Sequence, residues 1–173
     1  MATPEPSDIA YLEIWKGVSP FAVAVFSSVV SALLSGYLFS RYKSFQDQLE
    51  KRCDDLCNHV STAGELANLY WKSDQKELHS AKEVDLETKI LAKLHAIGSL
   101  RVAIEKDISA SAKDSLAQAE ASLMRELTGG DFGIHNRTAD IQRAKASIMQ
   151  AAMCVTTIRA ARLEDMRGWR QRS

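Results

Sequence analysis

The sequence predicts an all-α protein in which one N-terminal transmembrane helix continues into a cytoplasmic antiparallel bundle of about four helices. Three observations predict it. Residues 17–40 contain no charge over 24 positions. Beyond Ser40, apolar residues recur at alternating steps of three and four, the spacing of one helix face. No strand-like alternation of period two occurs there, and no glycine-rich turn comes before Gly129.

The membrane segment is built from residues 20–40, PFAVAVFSSVVSALLSGYLFS. At about 1.5 Å per residue these positions reach about 30 Å, the thickness of a hydrocarbon core. Ser19 and Pro20 form a plausible start, with serine as cap and proline in the first turn. Tyr11 and Trp15 before the run, and Tyr37, Phe39 and Tyr42 at its far end, suit the two interfaces. A cleaved signal peptide is disfavoured: the start is acidic, the apolar core is too long, and Tyr37-Leu38-Phe39 fills the cleavage region. Lys16 is the lone positive residue of the N-terminal flank, against Arg41, Lys43, Lys51 and Arg52 beyond the run. Positive flanks stay in the cytoplasm. The expected organisation is therefore a short extracytoplasmic segment at 1–18, a span at 19–40 and a cytoplasmic domain at 41–173. The membrane is the inner membrane if the source is bacterial.

One side of that span is small. Ser27, Ser31 and Ser35 recur every four residues, and so do Ser28, Ala32 and Gly36 on the adjacent row. Small residues at this spacing let helix backbones approach, so these six positions are the expected oligomer interface. The competing reading is that the serines fold their hydroxyls onto their own backbone.

In the cytoplasmic part, Tyr42, Leu49, Leu56, Ala63 and Tyr70 repeat at seven, with Cys53, Val60 and Ala67 between them and Gln46 as the exception. Nothing between Ser40 and Leu49 breaks a helix, so the membrane helix is expected to continue to about Lys72. A second helix is expected over 81–108, with Val84, Ile90, Leu91, Leu94, Ile97, Ile104 and Ile108 on a wide apolar face. Ser109-Ala110-Ser111 is a weak interruption, and a third helix follows to about Leu127. The clearest loop is Thr128-Gly129-Gly130-Asp131-Phe132-Gly133, with Phe132 turned into the bundle. Thr138 then caps a last helix to about Trp169, with Ile141, Ala144, Ile148, Ala151, Val155 and Ile158 on one face.

Net charge is zero, but unevenly so: residues 44–136 hold 11 basic and 16 acidic residues, residues 137–173 eight and three. Cys53, Cys57 and Cys154 are too few and odd in number for a disulfide framework, which fits a reducing compartment. No nucleophile elbow, His-Glu-x-x-His, phosphate loop or dinucleotide fingerprint is present. Asp131-Phe132-Gly133 matches a kinase tripeptide by letter alone. Cys53, Cys57 and His59 lack the spacing and number of zinc ligands. His95 is expected to be partly buried. Glu65, Asp74, Glu83 and Glu87 are expected on a solvated face.

These features point away from an enzyme and require no cofactor or metal. They favour a single-pass membrane protein that associates with itself through the small face and with a cytoplasmic protein through its helical domain. Thr128, Gly129, Gly130, Asp131, Phe132, His135 and Arg137 form the candidate partner or ligand loop. Arg167, Trp169, Arg170 and Arg172 form a candidate contact to membrane lipid, since arginines beside a tryptophan suit anionic headgroups. A cation run complementing its own helix end is the simpler account of them. Nucleic acid is the least favoured partner. The alternative reading is a membrane-disrupting effector of a bacterial defence system, resembling small toxins whose cytosolic domain restrains a membrane helix.

Overall fold

The structure, a computed structural model, describes residues 6–73, 80–134 and 137–170, with side chains over 22–73, 81–134 and 137–164. The described residues are all-helical, with four helices and no strand. These are α1 (Pro6–Lys72), α2 (Ser80–Glu105), α3 (Ala110–Thr128) and α4 (Ile141–Arg170). The chain divides into two compact units, Met1–Asp47 and Gln48–Ser173.

In the first unit α1 starts at Pro6 and not at Ser19, so Pro20 lies inside the helix. Proline fits the first turn at Pro6, where no N–H partner is needed. At position 20 it removes one backbone bond to the preceding turn. From Ala22 the helix is long and apolar enough to cross a membrane, with a mean hydropathy of 1.9 in its most apolar window and none of that window buried. The helix runs unbroken through residues 40–49 and ends at Lys72, where the sequence placed its end.

The second unit is a helical bundle with one core. From α1, Leu49, Cys53, Leu56, Val60, Ala63, Ala67 and Tyr70 are all buried, which is the seam read from the heptad spacing except for Tyr42, which is half-buried. Trp71 joins them at 2% exposure. Each large apolar side chain removed from water contributes about 1.5–3 kcal/mol, so this stripe is what fixes α1 in the bundle.

The faces of α2 and α4 differ from expectation. On α2, Ile90, Leu94, Ile97 and Ile104 are buried, but Val84 and Leu91 are 54% and 52% exposed. Each exposed residue sits one position, or about 100°, beyond a buried one (Glu83, Ile90). On α4 the buried row is Ala144, Ser147, Ala151, Cys154, Ile158 and Ala161. Ile141 and Ile148 lie outside it, at 48% and 40% exposure, and Val155 is half-buried. Bulk is therefore a poor guide to the inward face here: α4 turns its small side inward.

The reason lies opposite, at Gly64 of α1. A Cβ there would stand 2.6 Å from the Ala151 Cβ and 3.4 Å from the Ser147 carbonyl oxygen. The helices meet closely enough that only small residues fit between them. Ser147 is fully buried and donates its hydroxyl to the Arg143 carbonyl at 2.9 Å, so it brings no unsatisfied polar group to the contact.

The boundaries have local causes. α2 ends at Glu105, and Asp107 donates to the Ile104 carbonyl at 2.9 Å in the turn that follows. Ile108, outside the helix, still enters the core. Ser109 caps α3, its Oγ accepting the Ala112 N–H at 3.3 Å. The interruption read at 109–111 is thus a helix start. Gly129 ends α3 in extended backbone (φ −78°), and the left-handed turn falls on Gly130 at φ 63°. Asp140, rather than Thr138, caps α4: its Oδ1 accepts the Arg143 N–H at 2.9 Å.

Contacts order the elements along α1. Asp140 N–H donates to the Trp71 carbonyl at 2.7 Å, and Arg162 pairs with Glu50 at 2.7 Å. α4 therefore starts beside the end of α1 and passes Glu50 later. α2 meets Tyr70 through Glu87, and the turn after it meets Arg52 through Asp107 at 3.2 Å.

Replacing Gly64 by alanine should lower the stability of the bundle by about 1–3 kcal/mol through overpacking against Ala151. The gain in helix propensity, up to about 1 kcal/mol, works against this. The check is the melting temperature of the full chain in detergent. An unchanged or raised value would show that α1 and α4 are not in this close contact.

Candidate functional site

The six small residues of α1 all stand exposed, as do Val25, Val29, Leu33 and Leu34 around them, while Val30 is half-buried. A Cβ at Gly36 would meet nothing within 4 Å. Two of the serines spend their hydroxyls locally: Ser28 Oγ donates to the Val25 carbonyl at 2.8 Å and Ser35 Oγ to the Ala32 carbonyl at 3.0 Å. What these two present outward is a small surface, not a free donor.

The 128–137 segment is held by the aromatic pair that ends the α1 seam. Tyr70 and Trp71 stand edge to face with ring centroids 5.0 Å apart, and Phe132 packs 5.0 Å from Tyr70 and 6.3 Å from Trp71. Trp71 Nε1 donates to the Leu127 carbonyl at 3.2 Å. Tyr70 Oη donates to Glu87 at 2.8 Å and accepts the Gly133 N–H at 3.0 Å. Burial pushes the Tyr70 phenol above its ordinary range, the Gly133 bond opposes this, and Glu87 adds to it.

Arg137 closes the arrangement from inside. Its side chain is 1% exposed, its Nε donates to Glu83 Oε1 at 3.1 Å, and its Nη2 donates to the Tyr70 carbonyl. The guanidinium lies 3.8 Å from the Tyr70 ring centroid and 5.4 Å from that of Trp71. Arg143 adds a second guanidinium over Trp71 at 4.8 Å and donates to the Gly129 carbonyl. Paired charge and stacking on an aromatic face are what make a buried cation tolerable.

This changes two expectations. Of the acidic residues expected on a solvated face, Glu65 is exposed, but Glu83 is 4% exposed and faces Arg137, and Glu87 is half-buried and bonded to Tyr70. Arg137 is a buried strut within the bundle, and in this conformation its guanidinium presents nothing to a partner. Of the other loop residues, Gly130 and Asp131 are exposed, Phe132, Thr128 and Gly129 are half-buried, and His135 lies outside the described residues. Ile134, which the sequence did not single out, is 54% exposed beside them. A polar depression of about 580 Å³ opens between this loop and the start of α4, lined by Trp71, Gly130, Asp131 and residues 138–143.

Arg172, and the side chains of Arg167, Trp169 and Arg170, lie outside the described residues, as do His79 and Asp74. His95 is exposed, not partly buried, and borders a groove lined by Leu91, Leu94 and Met124. The three cysteines are free and buried. Burial pushes the Cys53 and Cys154 thiols up to about 11 and raises Cys57, which leaves them as unreactive small hydrophobes. Among the described residues no three His, Cys, Asp or Glu side chains are grouped to hold a metal ion.

Removing one partner of the Glu83–Arg137 pair should be costly, because the other charge stays buried. Glu83→Gln and Arg137→Ala should each lower unfolding stability by about 3–5 kcal/mol. Glu87→Gln, which keeps an acceptor for Tyr70, should cost about 1 kcal/mol or less. Denaturant unfolding of the three variants is the measurement. Equal losses for Glu83→Gln and Glu87→Gln would remove Arg137 from this role.

Comparison of the chain with protein-family models, with curated proteins and with solved structures finds no match.

Proposed function

We propose that the chain is a non-enzymatic single-pass membrane protein. It associates with itself through the small face of its span and binds a cytoplasmic protein through its helical domain. The observation that carries this reading is the exposure of the apolar part of α1. Phe26, Leu33, Leu38 and Phe39 are 62–72% exposed, and none of the most apolar window is buried. Apolar surface left in water costs about 25 cal/mol per Å², so a helix of this kind is at rest only in lipid or against another such helix.

In this reading residues 19–40 cross the bilayer, 1–18 lie outside, and 41–173 form the cytoplasmic domain, an antiparallel bundle in which α4 runs back along α1. Self-association rests on close packing at Ser27, Ser28, Ser31, Ala32, Ser35 and Gly36. Hydroxyls already bonded within α1 at Ser28 and Ser35 give little further help, which leaves dispersion as the attraction. The cytoplasmic partner would meet the exposed edge of the loop at Gly130, Asp131 and Ile134. Anionic headgroups would meet Arg167, Trp169, Arg170 and Arg172.

Two experiments test the reading. Alkaline phosphatase fused at the C-terminus is active only after export, so the fusion should be inactive in cells that express it at normal levels. High activity would reverse the orientation. Gly36→Leu and Ala32→Leu would hold the backbones apart without loss of hydrophobicity. Insertion should persist while crosslinked oligomers fall sharply, and Leu33→Ile and Val29→Leu should leave them unchanged. Intact oligomers in both small-face variants would reduce the span to an anchor.

A further inference from the structure

α4 carries two helix seams, and the bundle uses one. The second is Ala146, Met149, Met153, Thr156, Ala160 and Leu163, with steps of 3, 4, 3, 4 and 3. Met149, Met153 and Leu163 are 66%, 61% and 51% exposed, Thr156 and Ala160 are exposed, and Ala146 is half-exposed. The six positions of the row, spread over 18 residues or about 26 Å of helix, carry no charge. The Thr156 hydroxyl donates to the Ala152 carbonyl at 3.0 Å, so this position presents its methyl group outward. A helix apolar on both sides belongs between two partners. Alternating steps of three and four are the pattern that packs against another helix of the same kind.

Charge selects the occupant. In a parallel pair of such seams, a residue flanking one helix faces the residue five positions on in the other. That rule sets Arg159 of one copy opposite Glu164 of a second copy. An antiparallel pair sets Arg159 against Lys145 or Ala152 and leaves Glu164 without a cation. Both residues are exposed. Glu164 holds a surface hydrogen bond from Ser111 at 2.8 Å, and Arg159 lies beside the Cys57 thiol. The Glu164 contact is on the surface, and Arg159 is itself exposed although Cys57 is buried, so both side chains can take an added ion pair.

We infer that this outward seam of α4 binds the same seam of a second copy, in parallel and in register, as a short two-stranded coiled coil. The inference rests on the proposed membrane association only in that a shared bilayer holds two copies in the same sense and raises their effective concentration.

The test is disulfide crosslinking of the full chain in membranes. In parallel register position 156 faces itself, so Thr156→Cys should give about tenfold more covalent dimer under mild oxidation than the native chain, whose thiols are buried. Ala117→Cys, exposed on α3, is the geometric control and should match the native chain. In the Thr156→Cys background, Met153→Glu or Arg159→Glu should reduce the dimer several-fold, and adding Glu164→Arg to Arg159→Glu should restore it. Thr156→Cys no better than Ala117→Cys, or no recovery in the charge-swapped chain, would overturn the inference. The two interfaces separate cleanly. Loss of oligomers in Gly36→Leu without any crosslink at 156 leaves the membrane face and removes the α4 seam. A crosslink at 156 with oligomers unchanged in Gly36→Leu does the reverse.

Discussion

Between Leu49 and Trp71, α1 offers a narrow stripe against which the rest of the bundle is laid, and its narrowness constrains everything packed on it. The stripe has large residues at its ends and small ones in the middle: Leu49 and Leu56, then Val60, Ala63, Gly64 and Ala67, then Tyr70 and Trp71. Where it is small, α4 comes in close, and a side chain larger than Ser147 or Ala151 would not fit. Where it is large, at Tyr70 and Trp71, the two rings form a platform that Phe132, Arg137 and Arg143 cover. The loop between α3 and α4 is therefore fixed by aromatic contact and not by its own backbone preferences.

The buried Glu83–Arg137 pair depends on that platform. A guanidinium removed from water needs a counter-charge and a polarisable face, and Glu83 and the Tyr70 ring supply them. The Tyr70 carbonyl takes a further N–H. Because Tyr70 also links Glu87 to Gly133, one residue ties α1, α2 and the loop together. The likeness of residues 131–133 to a kinase tripeptide has no counterpart in this arrangement. Phe132 is packed on Tyr70 and Trp71, while Asp131 faces solvent.

The apolar part of α1 is exposed, whereas α4 is buried on one side and exposed on the other. Exposed methionines in a charge-free row pose the same physical problem as the exposed phenylalanines of α1, on a smaller scale. In the proposed reading, lipid answers it for α1 and a second copy of α4 answers it for the bundle. Two modest contacts in series would suit copies that share one membrane, as proposed.

The sequence by itself determined the all-helical class, the long apolar first helix, its end at Lys72 and the buried positions of its seam. Each follows from local periodicity, hydropathy and the absence of breakers, which act over a few turns. It also located the turn near Gly129 and the start near Ser109, since glycine and capping serine act on their own backbone. Tertiary structure decided which side of α4 faces inward. Its sequence carries competing rows, and the small row enters because Gly64 admits nothing larger. Tertiary structure also decided the fate of Glu83 and Arg137. They lie 54 positions apart, and taken singly each reads as a surface charge. Only when Tyr70 and Trp71 bring α2 and the loop together do they meet, and burial then turns two solvated groups into an internal strut.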